Sequence, residues 1–166
     1  MILFSCLNMS CFYLVSSNRY YCHSGYNNTP LQPTIEPRCR EACSFSKMGN
    51  TACGSVGVMT YDISVSPRQS GHMKLAIMFS VPYDYTLYDN WFAVGFYDLR
   101  MGCDHQLYHE MYHQVKPEFK RAKAKQGTLS YSAKGLDIKA TMSNASQSII
   151  QVELWESNVK CSSGYP

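Results

Sequence analysis

The sequence is poor in charge and has no long apolar runs. No uninterrupted apolar stretch reaches the ~18–20 residues a helix needs to cross a bilayer, which excludes a helical membrane span. No Lys or Arg precedes Arg19, and the apolar opening MILFSCLNMSCFYLV has no small-x-small cleavage pattern. It is a poor secretory signal on both counts. A truncated or misassigned start, a buried first strand and a degenerate targeting segment all remain open for it. There is no C-x-x-C pair, which argues against a zinc knuckle or ribbon. Charged residues make up 16% with a net charge of +3, too mild a balance to indicate nucleic acid. Internal repeats and low-complexity segments are absent.

What is present is a chain of 166 residues, enough for one ordinary domain, with 45% apolar residues and therefore no signature of disorder. Its 13 Tyr, seven Phe and two Trp are unusual. Such rings suit interfaces and membrane surfaces, because one end is apolar and the other wet. Eight cysteines, even in number and scattered in spacing, fit a few disulfides in an oxidising compartment or free buried thiols. Glycosylation sequons begin at Asn8, Asn27 and Asn144.

Residues 1–50 read as irregular, broken into extended pieces by Pro30, Pro33 and Pro37. From Gly54 onward the hydrophobic period becomes two. Leu75, Ile77, Phe79 and Val81 alternate with Lys74, Ala76, Met78 and Ser80; Leu136, Ile138, Ala140 and Met142 alternate with polar residues. Ser148–Glu156 repeats the pattern, Phe92, Val94 and Phe96 suggest a further strand, and Val56 and Val58 another. Half-buried strands joined by short turns predict a mainly β fold, a β-sandwich. One segment departs from it: Asp104 caps a predicted helix from His105 to about Gln114, stopped by Pro117. On that helix His105, His109 and His113 share one face, and Tyr108 and Tyr112 another.

Three constellations carry chemistry. His109-Glu110-Met111-Tyr112-His113 reads H-E-x-x-H, two imidazoles for zinc with Glu110 as general base. Catalytic zinc needs a third protein ligand, however, and no His follows His113; a solvent-facing His row is the plainer alternative to a zinc hydrolase. The segment Pro82–Phe92 sets Tyr83, Tyr85, Tyr88, Trp91 and Phe92 among turn-forming polar residues. That arrangement suits insertion into a headgroup layer, and aromatic faces cage quaternary ammonium groups. Some of these rings are expected to cap the core instead. Finally, Lys116, Lys120, Arg121, Lys123 and Lys125 form a cationic run, either a solvated loop or an attraction to an anionic leaflet.

Lys74 to Asp98 (KLAIMFSVPYDYTLYDNWFAVGFYD), followed by LYHEMYH at Leu107 to His113, resembles the actinoporin family of pore-forming cytolysins. That family carries a Phe-Ser-x-Pro-Phe-Asp-Tyr loop, then Tyr-x-Asn-Trp and a helix with Tyr-x-x-x-Tyr-Tyr. HSGYNNT at His23 to Thr29 is similar to its Arg-Ser-Gly segment, and CGSVGV at Cys53 to Val58 to its Gly-x-Val strand. The resemblance spans roughly residues 20–156. It implies a β-sandwich with one or two short flanking helices, no enzymatic activity and no metal or cofactor. It also implies sphingomyelin recognition, assembly of a homo-oligomer on the membrane, and a cation-permeable pore causing cytolysis. Carried over by position, the phosphocholine site comprises Ser24, Val56, Ser80, Pro82, Tyr88, Tyr108, Tyr112 and His113. Tyr83, Tyr85, Leu87, Trp91 and Phe92 become membrane-surface residues.

The chain departs from the family at Leu87 and His113, where Trp and Tyr are typical, and in lacking Arg-Gly-Asp, near whose position stands Arg100-Met101-Gly102-Cys103-Asp104. Only 23 residues precede Ser24, fewer than family members use for a pore helix and a first strand. Cysteines are also rare in the cnidarian branch. The expected organisation is an N-terminal segment 1–19, a single membrane-binding β-sandwich over 20–158, and a tail over 159–166. Secretion, action at a target cell membrane and nematocyst storage follow from the resemblance; a non-lytic lipid- or glycan-binding module of the same fold is the alternative.

Overall fold

The computed structural model describes residues 1–16 and 19–157. The first half of the chain supplies β1 (Ile2–Asn8), β2 (Tyr13–Val15), β3 (Tyr20–Ser24), β4 (Tyr26–Thr29), β5 (Thr34–Ile35), β6 (Arg40–Ser46) and β7 (Ser55–Ser64). The second half supplies β8 (Met73–Val81), β9 (Trp91–Tyr97), β10 (Phe119–Lys123), β11 (Leu129–Ala133), β12 (Leu136–Met142) and β13 (Ser148–Glu156). A single α-helix, α1 (His105–His113), and a 3₁₀ turn at Ala124–Gln126 complete the described elements. One sheet runs β11-β12-β13-β1-β6-β4; the other runs β10-β9-β8-β7-β2-β5, with β3 also paired to β7.

The two sheets face each other across a core built from alternate residues of each strand. Phe4, Phe45 and Phe79 meet at its centre, with ring centroids 4.7–5.7 Å apart. Leu75, Ile77 and Val81 of β8, Phe92 and Val94 of β9, and Ile138 and Val152 of the opposing sheet extend it. The predicted β-sandwich is the observed fold, and the periodic segments of the second half are its strands.

Residues 1–50, expected to be irregular, contain six strands. Pro30, Pro33 and Pro37 fall in the connections between strands, where the missing N–H breaks no ladder. β1 lies mid-sheet, parallel to β13 and antiparallel to β6. Ile2, Phe4, Cys6 and Asn8 are its inward side chains. Asn8 is fully buried: its side-chain nitrogen donates to the carbonyls of Phe12, Ile35 and Glu36, and its Oδ1 accepts from the Ser10 hydroxyl at 2.7 Å. The Asn8 sequon is therefore closed to a glycan. Among the described residues every cysteine is a free thiol, and Cys161 lies outside them. Burial pushes the thiols of Cys6 and Cys43 up to about 12, so both pack as small apolar groups.

β8 departs from a half-buried strand, since all nine of its residues are buried. Its second face carries Ala76 and Met78, and α1 docks there through Leu107 and Met111. A nine-residue helix is marginal alone, and burying these two side chains contributes roughly 1.5–3 kcal/mol each. Asp104 caps it by accepting from the Leu107 N–H at 3.1 Å, worth about 1 kcal/mol. Lys74, also on this face, donates its ammonium to the Met101 carbonyl, which satisfies an otherwise buried charge.

Candidate functional site

The strand register sets up a cavity at the β8 end of the molecule. Ser24 on β3, Val56 on β7, Ser80 on β8 and Trp91 on β9 fall in one row across the sheet, on the face that carries α1. Above that row, the helix presents Tyr108 and Tyr112, and the segment after β8 arches outward. Between them lies a cavity of about 600 Å³. Val56, Ser80 and Pro82 form its floor, Tyr108, Tyr112 and His113 one wall, and Tyr83, Asp84, Leu87 and Tyr88 the other.

Gly54 is required where the cavity floor turns: a Cβ there would collide with the Val81 carbonyl and crowd Pro82. Ser24 does not line the cavity. Its hydroxyl donates to the Gly54 carbonyl at 2.9 Å and so holds this turn from behind.

The rings of the wall are ordered by one another. His23 stacks on Tyr108 with centroids 4.7 Å apart and planes 19° from parallel. Tyr108 and Tyr112 lie 5.8 Å apart, and His113 meets Tyr112 edge-on at 4.7 Å. Burial first, then the neighbouring Tyr112 and Tyr21, pushes the Tyr108 hydroxyl up to about 12, so it stays a protonated donor. His113 is held below the ordinary histidine value by desolvation, then by the positive charge of His109, Arg121 and His23.

The outer wall is exposed, with Leu87 at 71% and Tyr88 at 58% of their accessible surface. Tyr83 and Tyr85 are exposed as well, and Lys47 sits 5.0 Å over the Tyr83 ring. The segment is nevertheless tied down. Tyr85 donates to Asn90 Oδ1 at 2.8 Å, and buried Asn90 donates to the carbonyls of Ser143 and Ala145 in the β12–β13 turn. Asp89 pairs with Lys123 at 2.8 Å and Lys125 at 3.2 Å.

Phe92 is a correction. Expected at the membrane surface, it is fully buried, because the alternation of β9 turns Phe92, Val94 and Phe96 into the space between the sheets. Trp91 points the other way and is half-buried, with the Arg121 guanidinium 4.1 Å above its ring. Most of the cationic run is not a loop: Lys116 lies in the connection after α1, but Lys120, Arg121 and Lys123 lie on β10, the outermost strand of its sheet, and Lys125 follows in the 3₁₀ turn. Charge at a sheet edge opposes pairing with other chains.

The H-E-x-x-H segment is helical, but its parts diverge. Glu110 is buried and pairs with Lys116, whereas His109 and His113 are exposed. Among the described residues no group of three or more His, Cys, Asp or Glu is gathered for a metal ion. A water-activating base beside a three-ligand zinc is thus not assembled there. His23, Ala52, Gly54 and Asp84 line the cavity without having been singled out; His23 sits next to Ser24 in the His-Ser-Gly segment, which was its available signal.

The molecule is thus a two-sheet β-sandwich with one docked helix and an aromatic-walled cavity under an exposed loop. The family model for sea anemone cytotoxic protein matches residues 8–156, and the chain belongs to that family. It is 45% identical over 101 residues to DELTA-alicitoxin-Pse1b of Phyllodiscus semoni, covering 60% of this chain and 42% of the toxin. It is 33% identical over 106 residues to DELTA-actitoxin-Ucs1a of Urticina crassicornis, covering 64% and 44%. Deep-sea actinoporin Cjtox I of Cribrinopsis japonica is 27% identical over 139 residues, covering 84% and 59%. These relatives are named as toxins and an actinoporin, not as enzymes. The chain spans about two fifths to three fifths of their length. The fold is shared with the lipid binding protein Nakanori at a TM-score of 0.70 and 11% identity, covering 92% of this chain and 69% of that one.

Proposed function

We propose that this protein binds membrane surfaces by taking the phosphocholine head of sphingomyelin or phosphatidylcholine into the cavity between α1 and the segment after β8. The observation that carries this is the pairing of an aromatic-walled hollow with a projecting apolar rim. Tyr88, Tyr108 and Tyr112 line one space with their rings and hydroxyls. A trimethylammonium group gains about 0.5–2 kcal/mol from each such face, depending on desolvation. The Tyr and Ser80 hydroxyls donate to the phosphate, while Leu87 and Tyr83 enter the headgroup layer.

Liposome sedimentation tests it. Partition onto sphingomyelin or phosphatidylcholine vesicles should exceed partition onto vesicles whose heads lack choline; equal partition overturns headgroup recognition.

For the protein as a whole, relatives named as an actinoporin and as cytolysin tenebrosin-B support cytolysis. The corresponding proposal is secretion, from a nematocyst in the cnidarian setting, followed by homo-oligomer assembly and a cation-permeable pore in the target membrane. Release of calcein from the same vesicles is the measurement. One observation favours binding without perforation by the described residues themselves: Ile2–Asn8 is held between β13 and β6 and is not a detachable helix. Binding without dye release would support that second reading.

A further inference from the structure

We propose that His109 and His113 form an open, two-imidazole site for a divalent transition-metal cation such as Zn²⁺, Ni²⁺ or Cu²⁺, on the exposed face of α1 beside the cavity. The two rings lie on successive turns of one helix face, with centroids 4.5 Å apart and planes 42° from parallel. That i,i+4 placement lets one ion bridge a nitrogen from each ring, and imidazole nitrogen suits these borderline cations. Both rings are exposed, so an ion reaches them without rearranging the core.

The scaffold is rigid beneath them. Asp104 caps the helix, Leu107 and Met111 anchor it to β8, and Tyr112 packs edge-on against His113 at 4.7 Å. The helix backbone therefore need not be ordered when the pair closes on an ion. His105, 5.8 Å from His109, continues the row, but its ring lies a turn farther from His113. Glu110 belongs to Lys116, and no third His, Cys, Asp or Glu is gathered among the described residues, so water fills the remaining positions. Besides His109 itself, the charges that bear on His113 are Arg121, whose guanidinium is engaged over the Trp91 ring, and His23, which is stacked on Tyr108.

His113 also lines the cavity, so a bound dication faces the space where the trimethylammonium group would sit. On the headgroup proposal above, ion and choline oppose each other, and each weakens the other by the same factor.

The test is calorimetric titration of the full chain, carrying no affinity tag and kept reduced, with Ni²⁺. One ion should bind per chain, and His109→Ala and His113→Ala should each weaken it more than about tenfold, the loss that even an outer-shell deletion produces. His105→Ala and His72→Ala should bind as the unaltered chain does. Retained affinity in His109→Ala, an equal loss in His105→Ala, or no Ni²⁺ binding by the unaltered chain overturns the site; circular dichroism verifies that each variant is folded. In a second arm, Ni²⁺ should lower partition of the unaltered chain onto phosphatidylcholine vesicles and leave His109→Ala unaffected. Equal partition with and without Ni²⁺ overturns the opposition alone. Absence of vesicle binding in metal-free buffer overturns the headgroup proposal instead, with the calorimetry still deciding the ion site.

Discussion

His23 lies flat against Tyr108, itself almost fully buried, and both rings line the cavity. An aromatic pair of this kind contributes about 0.5–1.5 kcal/mol beyond area burial. His23→Ala should release the Tyr108 ring and weaken phosphocholine binding by about two- to tenfold, with little change in melting temperature. Vesicle partition and thermal unfolding, measured together, separate this from a fold defect.

Tyr112 tests the cage itself. Tyr112→Phe keeps the ring and should retain most of the choline affinity, whereas Tyr112→Ala should lose roughly two- to thirtyfold. Equal losses in both variants would mean that the hydroxyl, not the face, is what the headgroup requires.

Phe92 and Leu87 are five residues apart and should respond in opposite ways. Phe92→Ala opens a void between the sheets and should cost about 3–5 kcal/mol of stability. Leu87→Ala, on the exposed rim, should change stability by less than about 0.5 kcal/mol yet reduce vesicle binding. Denaturant midpoints and sedimentation on the same samples check both.

Gly54→Ala places a methyl group against the Val81 carbonyl, so the cavity floor must move. About 1–3 kcal/mol of destabilisation is expected, with a loss of headgroup binding that a distant variant of equal stability does not show. Chemical denaturation sets the match between the two variants.

Asp89 gives a pH dependence of known sign. Hydrogen bonds from Lys123, then Lys125, hold its carboxyl below the ordinary carboxylate value. A depressed folded value means the tether is intact above the unfolded value and is lost as pH falls through the folded one. The aromatic segment should therefore loosen only in acid, below the usual carboxylate range, and Asp89→Asn should remove that step. Amide exchange of residues 84–90 reads it directly.

Much of the second half was legible because one physical rule dominates there. β12 and β13 alternate cleanly, with one face in the core and one in water, and Asp104 announces α1 by its side-chain acceptor. The first half hid its strands for local reasons. In β1 the outward Leu3 and Leu7 are as apolar as the inward Ile2 and Phe4, so the period of two is masked. The strands β2 and β5 are only three and two residues long and gain their hydrogen bonds from distant partners. In β10 the outward cations conceal a strand that Phe119 anchors. For the site, the helical spacing of Tyr108 and Tyr112 was readable. The His23 stack and the Gly54 turn depend on how β3 and the β7–β8 hairpin come together, which no short window of sequence contains.

The side-by-side seating of β1 and β13 carries a consequence for biogenesis. Ile2 finds Ser148, and Asn8 finds Leu154, only when nearly the whole described chain is present. During synthesis β6 and β1 can zip together early, but their sheet keeps a raw border until β13 leaves the ribosome. Closure of that seam is a late, long-range event, and loop entropy makes such events slow. Truncation before β13 would therefore leave a sticky half-sheet rather than a smaller working molecule.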